Sequence, residues 1–435
     1  MQTDFRSYHD ILKNLDTVEY SGKVMKVVGL TVESNGPAVN MGNICRIYPS
    51  VGDNYVEAEV VGFRDQRVLL MPFGDMTGIG FGSRVVSTGQ SLRVAVSDEL
   101  IGRVLNALGK PMDDGPPIGD VVYYPVDNAP PNPLSRTRIA NEFPLGVRAI
   151  DGLLTVGQGQ RLGIFAGSGV GKSTLLGMIA RNAVADVNVI VLVGERGREV
   201  KDFIEKDLGP LGLAKSVLII ATSDQPALLR LKAALVGTSV AEYFRDKGLK
   251  VLLLMDSVTR FAMAQREIGM AVGEPPISRG FPPSVYSILP KLLERSGTSD
   301  KGSITGLYTV LVEGDDMNEP ISDTVRGILD GHIVLSRALA TSNHYPAIDV
   351  LESISRVMKE IIPREQYDKA GFIKNVMSVY RKAKDLIDIG AYKSGSSAEI
   401  DEAIRLNPII NAFLRQGVDE TASYDEIKEA LYAIG

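Results

Sequence analysis

The sequence predicts an α/β protein with a small β-rich domain before the core and a helical domain after it. Three observations support this fold class. Short β-rich runs separated by glycine, proline and asparagine occupy residues 20–86, and apolar strands alternate with helical patterns from Gly146 onward. After Pro346 the chain becomes helix-like. Alternating strands and helices are typical of a parallel sheet covered on both faces by helices. The predicted boundaries are 1–18 for an amino-terminal arm, 19–88 for the β domain, 89–345 for the core and 346–435 for the helical domain.

Composition restricts the class of protein. The chain has 435 residues, 44% hydrophobic and 23% charged, as ordinary globular proteins of two or three domains do. A net charge of -6 argues against a surface that coats nucleic acid. The single cysteine, Cys45, excludes an internal disulfide and a cysteine-rich metal site. With no membrane-length apolar window and no secretory signal pattern, we expect a cytoplasmic protein.

The first two parts contain no catalytic constellation. Apolar residues at helical spacing predict an amphipathic helix in residues 1–16, and this helix either packs on its own domain or docks on a partner. The apolar residues are Phe5, Tyr8, Ile11, Leu12 and Leu15. Regular short strands with turn signals then predict a small barrel or sandwich with a structural or assembly role. The predicted strands are 22–28, 45–48, 56–63 and 67–72.

The core is expected to bind its ligand at the carboxyl ends of its strands. Residues 109–133 are dense in proline and glycine, which indicates an extended connection. The predicted core strands are 161–165, 187–193, 217–222, 251–255 and 306–312. Beyond Pro346 we expect no strands, with helices over 351–388 and 398–434 broken by Pro363, by a turn at 395–397 and by Pro408.

The stretch AGSGVGKST, residues 166–174, predicts a phosphate-binding loop. An apolar strand precedes it and a helical pattern follows, which is the required context. Glycines let backbone N–H groups turn inward, and the helix amino terminus adds partial positive charge. Ala166 replaces the usual first glycine, and we expect an unchanged loop. The candidate phosphate-binding residues are Gly167, Ser168, Gly169, Val170, Gly171, Lys172, Ser173 and Thr174, with Ser173 also a magnesium ligand.

Two other apolar strands end in carboxylates. Asp256 ends VLLLMD and is a helix cap, a turn residue or a magnesium ligand; its combination with the phosphate loop favours magnesium. Glu195 ends VLVGE, where a carboxylate can polarise the attacking water of nucleotide hydrolysis. A surface ion pair among Glu195, Arg196, Arg198 and Glu199 explains the same residues equally well. Arg260, four residues after Asp256, can reach the same phosphates.

Several segments, in order, resemble the catalytic subunits of rotary ATP synthases and, more closely, the ATPases of type III protein export. They are AGSGVGKST, GERGREV, LLLMDSVTRFA, GEPPISRGFPPSV, HYPAID and SISRVM. RFAMAQREIG and ATSDQP are similar to the flagellar branch. The resemblance spans nearly the whole chain and implies a RecA-like P-loop NTPase core, an amino-terminal β-barrel and a helical carboxyl-terminal domain.

The resemblance also implies a homohexameric ring that hydrolyses ATP with Mg²⁺ at its subunit interfaces. Lys172 and Ser173 match the phosphate and magnesium residues, Glu195 the catalytic carboxylate, and Arg260 the arginine beside the γ-phosphate. Tyr345 falls where the family stacks an aromatic ring on adenine. Arg356 matches an arginine finger that acts on the neighbouring subunit's nucleotide. On composition alone these last two would be a core tyrosine and a solvated arginine.

The implied function is to energise export of flagellar proteins through substrate unfolding, chaperone release and delivery to the export gate. The implied partners are an export regulator, a stalk, export substrates with their chaperones, and a membrane-embedded gate at the inner face of the cell membrane. The GEPPISRGFPPS loop would face the central hole of the ring. The amino-terminal arm is short for a regulator-binding segment of the flagellar proteins.

Four alternatives remain at this stage. The injectisome branch of the same ATPases differs only in short segments. A synthase or vacuolar subunit is disfavoured because the acidic carboxyl-terminal loop is absent and because catalytic and finger residues lie on one chain. A ring translocase for nucleic acid is disfavoured by the acidic charge and by a lack of interleaved basic and aromatic residues in the β domain. A non-catalytic nucleotide-binding scaffold is disfavoured by the joint presence of Lys172, Glu195, Asp256 and Arg356.

Overall fold

The computed structural model describes residues 20–49, 54–312, 314 and 316–435, so the predicted amino-terminal helix lies outside the described residues. The chain divides into two compact units. Among the described residues, one unit comprises the chain up to Leu92 with Ile268–Glu274, and the other comprises Arg93–Glu267 with Pro275–Gly435.

The first unit contains a closed antiparallel barrel. Its strands are β1 (Ser21–Val28), β2 (Thr31–Ser34), β3 (Asn43–Tyr48), β4 (Val56–Arg64), β5 (Arg67–Pro72) and β6 (Arg84–Ser91), in the order β1-β2-β5-β4-β3-β6. Alternate apolar side chains point inward and pack together, among them Val24, Ile47 and Leu70. Cys45 belongs to this core, and burial raises the pKa of its thiol to about 11. Closure resolves the sequence-level choice between barrel and sandwich.

The second unit is built on a mainly parallel sheet. Its strand order is β17-β16-β10-β15-β13-β11-β12-β8, and β14 adds an antiparallel pairing to β15. A separate two-stranded sheet pairs β7 with β9. The strands are β7 (Arg93–Val96), β8 (Val104–Asn106), β9 (Val122–Pro125), β10 (Arg161–Ala166), β11 (Val187–Glu195), β12 (Ser216–Thr222), β13 (Lys250–Asp256), β14 (Gly297–Thr298), β15 (Ser303–Leu311), β16 (Gly331–Leu335) and β17 (Ile348–Ser355). All five predicted core strands are confirmed.

Helices connect and cover these strands, and three long or amphipathic helices end the chain. In order they are α1 (Arg148–Leu153), α2 (Lys172–Asn182), α3 (Gly197–Asp202), α4 (Gly209–Leu213), α5 (Ala227–Asp246), α6 (Val258–Val272), α7 (Pro283–Leu293), α8 (Pro320–Ile328), α9 (Arg337–Thr341), α10 (Met358–Ile361), α11 (Arg364–Asp388), α12 (Ala398–Leu414) and α13 (Tyr424–Tyr432). A single π-helical turn, Phe203–Leu208, joins α3 to α4.

The prediction that strands stop after Pro346 was wrong. Strand β17 follows it and pairs antiparallel with β16, so the sheet gains an edge strand that the sequence analysis assigned partly to a helix. Its buried residues, Ile348, Val350 and Ser353, alternate with more exposed positions over part of the strand. Such alternation is typical of a half-buried strand. Polar residues stand between the buried ones, so the sequence analysis did not recognise the alternation.

The prediction that Pro408 breaks a helix was also wrong. Pro408 lies inside α12. A proline in a helix interior removes one backbone hydrogen bond and costs about 3 kcal/mol. Here Ala403 and Leu406 before it and Ile410 and Phe413 after it all lie in the core, so burial on both sides of the proline keeps the helix continuous.

A buried ion pair fixes the proline-rich connection to the core. The Arg295 guanidinium, 2% exposed, donates to both carboxylate oxygens of Glu242 at 2.8 Å and to the carbonyl oxygen of Val126 at 2.8 Å. Asn128 also donates to Glu242, at 3.1 Å. The end of the extended connection is therefore held by hydrogen bonds to α5 and to Arg295, which lies two residues after the end of α7.

We expect Arg295→Met to lower the free energy of unfolding by about 3–5 kcal/mol, because it leaves the Glu242 carboxylate buried without its charge partner. Urea unfolding followed by circular dichroism measures the effect. The control is Arg364→Met, which removes a surface pair with Asp368 and is expected to cost about 0–1 kcal/mol. Equal stabilities of the two variants would contradict the role given to the buried pair.

Candidate active site

The phosphate loop joins the carboxyl end of β10 to α2. Gly169 and Gly171 have φ values of +77° and +87°, in the left-handed region that glycine adopts without strain. Ala166 is the last residue of β10, buried and with ordinary strand geometry, so the missing first glycine leaves the strand-to-loop transition intact. Val170 is also buried, and it anchors the loop in the core.

A cavity of about 660 Å³ opens beside this loop. Part of its lining comes from the loop and the first turn of α2: Ala166, Gly167, Ser168, Gly169, Gly171, Lys172, Ser173 and Thr174. The rest comes from the ends of β11 and β15 and from α3, α6 and α9: Glu195, Arg196, Glu199, Arg260, Leu311, Val312, Gly314 and Arg337. The predicted phosphate loop, Glu195 and Arg260 therefore lie around one cavity.

Lys172 occupies the centre of the polar groups. Its ammonium nitrogen lies 2.5 Å from Asp256 Oδ1 and 3.6 Å from Glu195 Oε1. The side chains of all three residues are at most 13% exposed. One buried cation thus contacts the carboxylates from the ends of β13 and β11. This arrangement draws three distant parts of the sequence into one charged cluster.

Glu195 belongs to this cluster and not to a surface ion-pair group. Its carboxylate also lies 3.6 Å from Arg260 Nε, whereas Arg196 pairs with Glu199 at 3.1 Å and Arg198 with Asp202. Burial raises the pKa of Glu195 above its usual range, and the Asp256 charge raises it further. Lys172 and Arg260 oppose the rise. A carboxylate whose pKa is moved toward neutrality is suited to general-base chemistry.

Gly194 sets the approach of Arg260 to Glu195. Its φ is +70°, and a Cβ added there would lie 2.8 Å from Arg260 Cδ. Any side chain at this position would therefore strain the backbone and push Arg260 away. The GER segment requires its glycine for this close contact, a requirement that the sequence analysis did not recognise.

Asp256 and Ser173 form the candidate magnesium site. Among the described residues, no group of three or more histidine, cysteine or acidic side chains could hold a metal ion. Mg²⁺ in nucleotide sites takes only one or two protein oxygens and completes its shell with phosphate and water. A hydroxyl on the first turn of α2 and a nearby carboxylate therefore fit a magnesium–nucleotide complex.

Tyr345 lies against the phosphate loop. A Cβ added at Gly171 would lie 3.3 Å from the Tyr345 ring, and the side chain is 41% exposed. The carbonyl oxygen of Tyr345 accepts a hydrogen bond from the backbone N–H of Gln416 at 3.0 Å. An exposed aromatic face beside the loop is available for a base to stack upon.

Arg356 stands apart from the other predicted residues. It does not line the cavity, its side chain is exposed, and its guanidinium donates to the carbonyl oxygen of Arg326 at 3.4 Å. Arg337, which the sequence analysis missed, does reach the loop and donates to the Ser168 carbonyl oxygen at 3.3 Å. No local pattern in the sequence marks either arginine as functional, and only the family resemblance pointed to Arg356.

Comparisons with known proteins agree along the whole chain. Residues 146–355 match the nucleotide-binding domain of the ATP synthase alpha/beta family, 24–89 match its beta-barrel domain, and 362–433 match the carboxyl-terminal domain of the type III secretion ATPase EscN.

A Bacillus subtilis flagellum-specific ATP synthase is 55% identical, covering 99% of this chain and 98% of its own. A type 3 secretion system ATPase from Xanthomonas euvesicatoria is 51% identical, with 95% and 93% covered. The structure of assembled EscN from enteropathogenic E. coli with its central stalk EscO is 46% identical, with a TM-score of 0.88, covering 95% of this chain and 99% of that one.

We expect Gly194→Ala to lower ATP turnover on the order of 10-fold while nucleotide affinity stays within about twofold, because it displaces Arg260 from Glu195 without touching the loop. Steady-state hydrolysis and equilibrium binding of a fluorescent ATP analogue measure the two effects. The control is Gly197→Ala, where nothing lies within 4 Å of the added carbon. Unchanged turnover in Gly194→Ala would show that the contact with Arg260 does not position it.

Proposed function

Since the chain belongs to the ATP synthase alpha/beta family and is an ATPase of its type III export group, we propose that it couples magnesium-dependent ATP hydrolysis to the export of flagellar proteins. The observation that supports this best is the Lys172 ammonium between Asp256 and Glu195 at the phosphate loop. This cluster supplies a phosphate-binding cation, a metal-binding carboxylate and a base beside one phosphate loop.

Each residue has a role that follows from its place. Loop N–H groups and Lys172 bind the β- and γ-phosphates, and Ser173 and Asp256 would hold the magnesium ion, which neutralises phosphate charge. Glu195 orients the attacking water and accepts its proton. Because Arg260 lies beside Glu195, it directs its charge toward the γ-phosphate end of the cavity. Tyr345 stacks on the adenine.

Arg356 completes the site of a neighbouring subunit. Its side chain is exposed and lies outside the cavity of its own chain, so the γ-phosphate bound there lacks this charge. EscN, a relative of this chain, is solved as an assembly, which supports a homohexameric ring of this chain. Hydrolysis then depends on subunit concentration.

The flagellar branch is the favoured one. The 55% identity to a flagellum-specific ATP synthase exceeds the 51% identity to a type 3 secretion system ATPase, and the injectisome branch is the second candidate. Within the described residues no helix is long and apolar enough to span a membrane. The flagellar relatives favour a ring that works at the cytoplasmic face of the cell membrane, where it would receive substrates and chaperones and meet a regulator and the export gate.

EscN is solved in complex with its central stalk EscO, and a stalk protein would contact the ring of this chain through its central hole. The segment that we propose to face the hole follows α6 and includes Ile277, 63% exposed, and Arg279, which pairs with Asp316 at 3.4 Å. An exposed apolar residue next to a charged pair suits a contact that slides or exchanges between partners.

A nucleic-acid translocase remains the contrasting class. The barrel does stack Arg46 on Tyr55 and Arg84 on Tyr48, so the expectation that basic and aromatic residues are not interleaved there was wrong. Both guanidinium groups are already engaged with these rings, and Arg46 also lies 4.0 Å from Glu57. Stimulation of ATP hydrolysis by single-stranded RNA would favour this class over protein export.

We expect Glu195→Gln to retain nucleotide binding and to lose turnover, because the amide keeps the shape of the side chain but cannot accept the proton of the attacking water. Phosphate release and binding of a fluorescent ATP analogue measure both properties. Glu205→Gln, at an exposed surface pair with Lys201, is the control. Wild-type turnover in Glu195→Gln would remove Glu195 from the catalytic role.

We expect Arg356→Ala to lower turnover on the order of 10³-fold, as removal of an arginine finger does elsewhere. Mixing it with Lys172→Ala subunits should restore part of the activity, because some interfaces then pair an intact loop with an intact finger. Turnover is measured across protein concentration and mixing ratio. Full activity of Arg356→Ala, or no recovery on mixing, would contradict action between subunits.

A further inference from the structure

A buried threonine contacts the metal-binding carboxylate from the neighbouring strand. Strand β15 lies between β10, which leads into the phosphate loop, and β13, which ends in Asp256. The register pairs Thr309 with Ile164 of β10 and pairs Tyr308 with Met255 of β13, so Thr309 comes level with Asp256. The Thr309 hydroxyl donates to Asp256 Oδ1 at 2.6 Å.

The same carboxylate oxygen receives the Lys172 ammonium at 2.5 Å. The two donors differ in what else they do. Lys172 must also bind the phosphates of a nucleotide. Thr309 is completely buried, and the other acceptor of its hydroxyl is the Met255 carbonyl oxygen, at the longer distance of 3.3 Å. The hydroxyl is therefore the donor that can hold Asp256 while the ammonium turns to the nucleotide.

We propose that Thr309 is a positioning residue that orients the Asp256 carboxylate for the magnesium–nucleotide complex. This inference rests on the proposed magnesium role of Asp256. Removing the hydroxyl leaves Lys172 as the remaining donor of these two, so Asp256 loses the contact that would fix its orientation toward the metal once Lys172 turns to the nucleotide.

The variant that isolates the hydroxyl is Thr309→Val, which keeps the side-chain shape. Thr309→Ser restores the hydroxyl, and Thr309→Ala removes it by a second route should the valine variant not fold. The matched control is Thr238→Val, because Thr238 is equally buried and its hydroxyl bonds to the Ala234 carbonyl oxygen in α5, outside the cavity lining.

Equilibrium binding of a fluorescent ATP analogue is measured with magnesium and with EDTA, together with the thermal unfolding midpoint. We expect Thr309→Val to weaken binding with magnesium on the order of 10-fold and to leave binding in EDTA within about twofold. Thr309→Ser and Thr238→Val should bind as the wild type does. In an Asp256→Asn background the effect of Thr309→Val should disappear, as expected for residues that act as one unit.

Two results would overturn the proposal: binding in Thr309→Val that is unchanged with magnesium, or binding that weakens equally in magnesium and in EDTA. The second would indicate a purely structural role. A wild-type protein that shows no magnesium-dependent ATP hydrolysis would instead remove the proposed function, so the two failures are distinguishable.

Discussion

The contact between the Lys172 ammonium and two carboxylates is the constraint on which the site depends. Lys172 carries one positive charge, whereas Asp256 and Glu195 together carry two negative charges, and all three side chains are nearly buried. Arg260 brings the second positive charge to Glu195. Buried charges persist only when each is paired and hydrogen-bonded. Removal of any one of these side chains would therefore leave its partner buried without a charge partner. A bound triphosphate would add negative charge beside the same cations. The carboxylates and the phosphates would then share the positive charges of Lys172 and Arg260.

The order of the strands creates this cluster. Strands β10, β15, β13 and β11 are neighbours, and their carboxyl ends carry the phosphate loop, Thr309, Asp256 and Glu195 in that sequence across the sheet. Parallel strands place all these ends at one edge, where a ligand binds without disturbing the core. The same geometry leaves Arg356 beyond β17, the strand at the opposite edge from β8. One chain therefore presents a loop with its carboxylates in one place and an exposed arginine in another, as the proposed action of Arg356 on a neighbouring subunit requires.

Sequence patterns were sufficient where a residue's role depends on its own neighbours along the chain. Long apolar runs that end in a carboxylate, such as β13, predict both a buried strand and a polar group at its tip, and the structure has both. The sequence analysis missed strand β17 and the continuous helix through Pro408. In both, burial against the rest of the fold outweighed the secondary-structure preference of the local sequence. Thr309 and Gly194 were missed for a different reason. Their contacts cross from one strand or helix to another, and a threonine or glycine within an apolar run carries no sign of such a partner until the register is known.

The helical carboxyl-terminal part is tied to the site through one loop. Gln416, 5% exposed, donates its backbone N–H to the Tyr345 carbonyl oxygen, and its side chain accepts from the Arg148 N–H and donates to the Gly146 carbonyl oxygen. Two residues on, the Val418 carbonyl oxygen accepts from Arg181, near the end of the helix that the phosphate loop begins. The Tyr345 backbone and the helix that follows the phosphate loop are thus hydrogen-bonded to the same short loop. A shift of either one must move this loop or break its hydrogen bonds, and the loop connects α12 to α13, so these two helices lie next to any such movement.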